Sequence, residues 1–154
     1  MLLFLDIDGV MVLAKGWKSP ELLNDGFPAF SNKASYVLQN LISENTTVML
    51  TTSHKSNFSI EKWKSIFQKR GVNIENLECL PPNSGGLNRK DEIVSWFNVN
   101  NICEDFIIID DDKSLNDLPE FMKDNLVLTS PYIGLTEAHL DNINKILKSS
   151  IEFN

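Results

Sequence analysis

LLFLDIDGV, residues 2–10, is an apolar run that halts at Asp6, with a second acid at Asp8 and a glycine at 9. Apolarity without polar alternation suits a strand covered on both faces, the usual state of a parallel strand. Carboxylates placed directly after such a strand stand at the edge where open α/β sheets bind ligands. The signature recurs along the chain. TTVMLT at 46–51, DFIII at 105–109 and NLVLT at 125–129 are short, apolar and rich in β-branched residues, and LECL at 77–80 is a weaker fifth candidate.

Between these runs the apolar residues take helical spacing: Tyr36, Val37, Leu38, Leu41 and Ile42; then Phe58, Ile60, Trp63, Ile66 and Phe67; then Ile93, Val94, Trp96 and Phe97; finally Leu140, Ile143, Ile146 and Leu147. Gly71 after Lys69 and Arg70 reads as a helix stop, and Thr136 before Glu137 as a helix start. Alternation of β and α segments predicts an α/β fold: a three-layer sandwich around a doubly wound, mostly parallel five-stranded sheet. No internal repeat or linker interrupts it, so one domain is expected over 1–154. Two segments carry no such pattern. Residues 10–31 (VMVLAKGWKSPELLNDGFPAFS) and 81–88 (PPNSGGLN) are rich in proline and glycine. Each follows a strand, so both should overhang the same sheet edge, where loops shape binding sites.

The chain of 154 residues, 42% hydrophobic, is long enough for a real core. A formal charge of −7 disfavours broad adhesion to nucleic acid or anionic membrane, while leaving room for a local basic group to hold a phosphate. Cys79 and Cys103 match no metal-ligand or disulfide pattern and are read as reduced and buried. MLLFL has no basic flank and is too short to span a bilayer, so a cytoplasmic location with no membrane association is expected.

In a parallel sheet all strands present their carboxyl ends to one edge. Asp6 and Asp8 follow the first run, Thr51, Thr52 and Ser53 the second, and Asp110, Asp111 and Asp112 the run beginning at 106. Gathered together, such carboxylates raise one another's pKa unless a cation compensates. A hard divalent ion with oxygen ligands, best matched by Mg2+, resolves the conflict and leaves room for a substrate phosphate. A threonine hydroxyl could hold a phosphoryl oxygen, and Arg89 or Lys90, at the start of the third helix, could supply positive charge. An aspartate aimed at phosphorus can act as nucleophile. Asp8, beyond a tight bend allowed by Gly9, could protonate the leaving oxygen, provided its pKa lies well above the roughly 3.9 of a free aspartate.

The chain resembles the haloacid dehalogenase (HAD) superfamily of aspartate-nucleophile phosphohydrolases. LLFLDIDGV matches its strand followed by DxDG, VMLT (48–51) its strand ending in Ser or Thr, and FIIIDDD (106–112) its strand ending in paired acids. Three motifs in order, each after a strand-like run, are specific. The resemblance implies that Asp6 is nucleophile and metal ligand, that Asp8 is general acid/base and ligates through its backbone carbonyl, and that Thr51 binds the phosphoryl group. It also implies that Asp110 and Asp111 are metal ligands. The family's third motif has a lysine where this chain reads NRKDEIVSWF (88–97); spacing to Ile93 favours Arg89, residue type favours Lys90.

A narrower likeness is carried by TTSHK, RKDEIVSWF, IIIDDD and GLTEAHLDNI, which are similar to the HAD domains of Swiss Army Knife RNA repair proteins. Those domains tend to have Trp and Arg where this chain has His54 and Lys55. HAD proteins often carry a cap domain, but 10–31 is long enough only for a flap, and an open site is expected. Such a site would admit a phosphorylated nucleotide or nucleic-acid end, with Gly9, Thr52, Lys55 and Trp17 as substrate contacts. Trp17, Phe27 and Phe30 could stack on a base or simply pack the flap onto the domain. Nothing in the chain calls for an obligate protein partner. A signalling receiver module and a catalytically silent phosphate-binding relative are the competing readings. Receivers, however, place adjacent acids after their first strand and the phosphorylated aspartate after a middle strand.

Overall fold

A computed structural model describes residues 1–16, 18–102 and 104–152; Trp17 and Cys103 lie outside the described residues. Five parallel strands form one sheet: β1 (Leu2–Leu5), β2 (Thr47–Leu50), β3 (Asn76–Cys79), β4 (Phe106–Asp110) and β5 (Leu126–Leu128), in the order β3-β2-β1-β4-β5. The helices are α1 (Asn32–Leu41), α2 (Ile60–Gln68), α3 (Arg89–Val99), α4 (Glu120–Lys123) and α5 (Leu140–Glu152). This is the expected doubly wound α/β sheet, with β1 at its centre and the direction of winding reversed between β1 and β4.

Strand parity explains the two hydrophobic layers, because successive strand side chains point to opposite faces. Leu3, Leu5, Val48, Leu50, Ile107 and Ile109 pack with residues of α1, α2 and α5, among them Val37, Trp63 and Ile143. Leu2, Phe4, Met49 and Ile108 face the other way and meet Ile93 of α3 and Met122 of α4. All four residues of β1 are buried. Each such leucine or phenylalanine contributes about 1.5–3 kcal/mol on burial, which is why the run is apolar throughout. Phe4 makes ring contacts with Trp96 and Phe97 of α3, both at 5.3 Å between centroids.

The helices begin where side chains can cap them. Ser31, Ser59 and Asn88 accept hydrogen bonds from the backbone N–H groups of Ala34, Lys62 and Asp91 and so start α1, α2 and α3. Thr136 caps a short 3-10 turn over Glu137–His139, in which His139 Nδ1 accepts from the Thr136 N–H, and α5 follows directly.

The described residues of 10–31 form a flap of turns and isolated bridges, with Lys15 opposite Lys18 and Leu22 opposite Pro28. One side chain fastens it. Arg70, just past α2, donates from Nη1 and Nη2 to the two carboxylate oxygens of Asp25 at 2.7 and 2.9 Å. It also donates to the carbonyls of Phe27, Pro28 and Ile66. Its guanidinium lies over the rings of Phe27 and Phe30, at 5.7 and 5.2 Å from their centroids. Phe27 and Phe30 are buried core residues, so packing, not base stacking, is their role in the flap. No helix among the described residues is long and apolar enough to cross a membrane.

Candidate active site

The register of the three central strands builds the site. Leu5 pairs with Leu50 on one side and Ile109 on the other, so the next residues, Asp6, Thr51 and Asp110, arrive at one level of the sheet edge. The ladder continues through them: Thr51 N–H donates to the Leu5 carbonyl at 3.0 Å and Asp6 N–H to that of Ile109 at 3.1 Å. By parity all three share the face of Phe4, Met49 and Ile108, which is the face covered by α3. Arg89, the first residue of α3, therefore enters from the same side.

Arg89 Nη1 lies 2.6 Å from Asp110 Oδ2, 3.3 Å from Asp6 Oδ1 and 3.2 Å from Thr51 Oγ1. Thr51 Oγ1 is also 3.4 Å from Asp110 Oδ2. Oxygens of Asp6, Asp110 and Asp111 all fall within 4.8 Å of one another, a grouping able to hold one metal ion. Burial and clustered charge set the electrostatics. Burial pushes Asp6 up to about 6 against the opposing pull of Arg89. Asp110 rises to about 7, through burial first and the neighbouring Asp6 charge second, again opposed by Arg89. Asp111 is raised as well, chiefly by burial. Burial alone would lower Arg89, but Asp110 and Asp6 outweigh it and hold the guanidinium firmly protonated. One arginine does not neutralise three acids, and a hard divalent cation fits this all-oxygen donor set.

A second layer fixes these groups. Asp110 Oδ1 accepts from the Asp112 N–H at 3.0 Å, and Asp112 in turn caps the 3-10 turn over Lys113–Asp117. Asp112 is thus a structural cap. Gly9 (φ +82°) runs so close to Asp111 that a Cβ there would fall 2.0 Å from Asp111 Oδ2. Its carbonyl accepts from Thr129 Oγ1, at the end of β5, at 2.7 Å. Glu92 lies one turn along α3, 3.7 Å from Arg89 Nε and 2.9 Å from Lys55 Nζ. Arg89 Nε is buried and has no hydrogen-bond partner among the described residues.

Asp8 stands apart from the buried cluster. Its side chain is 56% exposed, and its Oδ2 lies 2.8 Å from His54 Nε2. His54 Nδ1 faces Asn57 Nδ2 at 3.4 Å.

Other expected contacts fall elsewhere. Lys55 is buried, its ammonium spent on Glu92 instead of being presented to substrate. Thr52 is buried too, and its hydroxyl accepts from the His54 N–H at 3.2 Å. Of the two third-motif candidates, Arg89 reaches the acids, while the backbone N–H of Lys90 donates to Ser114 Oγ. Trp17 lies outside the described residues. Glu92, Thr129 and the Asp8–His54 contact carried no signal in the sequence, because each is a tertiary pairing without local periodicity.

Beside Asp8 a groove of about 330 Å³ runs between the flap and the turn after β2. A larger cavity, about 430 Å³, lies between the 81–88 loop and α3 and is lined by none of the clustered aspartates.

No curated protein matches the chain. Residues 2–140 match the family model described as the HAD domain in Swiss Army Knife RNA repair proteins. That span takes in β1 with its two aspartates, Thr51, Arg89 and the paired acids after β4, so the motifs and their meeting in space belong to one pattern. The chain is a member of this HAD domain family.

Proposed function

We propose that the chain is a Mg2+-dependent phosphomonoesterase that works through an aspartyl-phosphate on Asp6. The observation that carries this reading is the meeting of Asp6, Asp110 and Asp111 with Thr51 and Arg89 at the switch point of the sheet. Asp6, Asp110 and Asp111 would hold the ion, with the backbone carbonyl of Asp8 as the family pattern adds. When bound, Mg2+ supplies Lewis-acid stabilisation of phosphoryl charge.

The chain's own groups do the rest. An Asp6 carboxylate oxygen attacks phosphorus and the bond to the leaving oxygen breaks, with Asp8 giving that oxygen its proton. Asp8 then takes a proton from water, whose oxygen attacks the same phosphorus and restores Asp6 while releasing phosphate. Thr51 Oγ1 and Arg89 orient the phosphoryl oxygens and stabilise their charge. His54 holds one oxygen of Asp8 and so fixes which of its oxygens serves the reaction.

The family's occurrence in RNA repair proteins supports a nucleotide or nucleic-acid end as the phosphate donor. Cys79, free and half-buried, suits a reducing cytoplasm. Purified protein should hydrolyse an aryl phosphate with Mg2+ and stop on addition of EDTA. A phosphoryl group that stays on the protein without release of phosphate would instead favour the receiver reading.

A further inference from the structure

We infer that the groove beside Asp8 receives the leaving group of the substrate, and that it takes an uncharged, ring-bearing alcohol of nucleoside size carrying no second phosphate. The inference rests on the phosphatase reading above, which makes Asp8 the proton donor to the leaving oxygen. That oxygen must lie within hydrogen-bond reach of Asp8, and the alcohol attached to it must extend into whatever space adjoins that carboxylate. The adjoining space is the groove, with Asp8 in its lining.

Its walls decide what fits. Leu22, Pro28 and Phe58 give apolar surface, suited to the flat face of a ring, with buried Phe27 packed behind them. His54 and Asn57 add polar groups able to hydrogen-bond a heteroatom. A volume of about 330 Å³ falls at the small end of ligand sites and accommodates one such unit. The groove is also held ready, because the Arg70 clamp on Asp25 fastens the flap that forms one wall.

Charge excludes the alternatives. No lysine or arginine lines the groove among the described residues. Lys55 behind it is paired with Glu92, and Arg70 with Asp25. A second phosphate entering here would find no lysine or arginine in the lining to pair with, on a chain of net charge −7.

The test compares kcat/KM for a nucleoside monophosphate, the corresponding nucleoside 3′,5′-bisphosphate and a short 3′-phosphorylated oligonucleotide, in the full chain with Mg2+. The monophosphate should be favoured over the bisphosphate by at least about tenfold. Leu22 is 64% exposed, so substitution there leaves the core untouched. Leu22→Lys should shrink the ratio between the two esters several-fold and Leu22→Glu should widen it. Equal or better hydrolysis of the bisphosphate or the oligonucleotide, or a ratio indifferent to both Leu22 variants, overturns the groove assignment while leaving the phosphatase reading intact. Absence of metal-dependent hydrolysis with every ester overturns the phosphatase reading itself, and the groove assignment with it.

Discussion

Gly9 joins β1 to the cluster of Asp6, Asp110 and Asp111, and a side chain there would crowd Asp111. A methyl group would strike Asp111 Oδ2 at 2.0 Å, and the backbone at φ +82° disfavours any side chain. Gly9→Ala should therefore cost about 1–3 kcal/mol of stability and displace Asp111 from the cluster. Thermal melting reports the first effect and a weakened Mg2+ affinity the second. Arg89 shows how a residue's role can depend on tertiary geometry. Positions 89 and 90 both offer a cation at the start of α3, and local sequence alone does not choose between them. The choice follows from parity: Asp6, Thr51 and Asp110 share one face of the sheet, and Arg89 is the basic side chain that meets them.

At the scale of elements, the flap behaves as a fastened wall. Arg70 and Asp25 have nearly inaccessible side chains, and hydrogen bonding from Arg70 draws Asp25 down to about 2. Breaking such a buried pair costs about 3–5 kcal/mol. Arg70→Met should lower stability by that order and raise amide exchange across residues 20–30, with less effect on β1 and β4; uniform protection of the flap in this variant would contradict the clamp. The central strands β1, β2 and β4 were legible in the sequence because burial on both faces demands continuous apolarity, and each carries motif residues at or just after its end; the edge strand β3, with Asn76 and Glu78 exposed, gave the weaker signal. The helices α1, α2, α3 and α5 were legible from their spacing. The four-residue helix α4 is too short to show a period, and its Met122 is buried against β4 by tertiary packing. The Arg70 clamp was not legible, since its partner lies 45 positions away in an irregular segment. Lys55 read as a substrate contact for the same reason: the acid that takes up its charge, Glu92, is 37 positions distant.

For the molecule as a whole, the buried acids tie stability to pH and metal. In the metal-free chain Asp6 and Asp110 keep protons up to about 6 and about 7, whereas their ordinary value is 3.8. Between about pH 4 and pH 7 the folded state therefore binds more protons than the unfolded one, and stability falls as pH rises through that window. Asp25 works in the opposite direction: its contribution is complete above about pH 4 and is lost as pH drops toward about 2. A divalent ion held by the clustered acids would have to displace their protons, so its stabilising effect should grow with pH. Melting curves in EDTA should thus show a midpoint that declines from about pH 5 to pH 8, and Mg2+ should reduce the decline. A midpoint that rises over the same range in EDTA would contradict the burial of these carboxylates. The most direct measurement is made on the covalent intermediate: acid-quench the protein during turnover of an aryl phosphate with Mg2+ and locate the phosphoryl group by peptide mass. It should sit on Asp6, vanish without divalent ion, and be absent in an inactive Asp6→Asn variant. Hydrolysis that persists in Asp6→Asn, or a phosphoryl group found on any other residue, would contradict the mechanism.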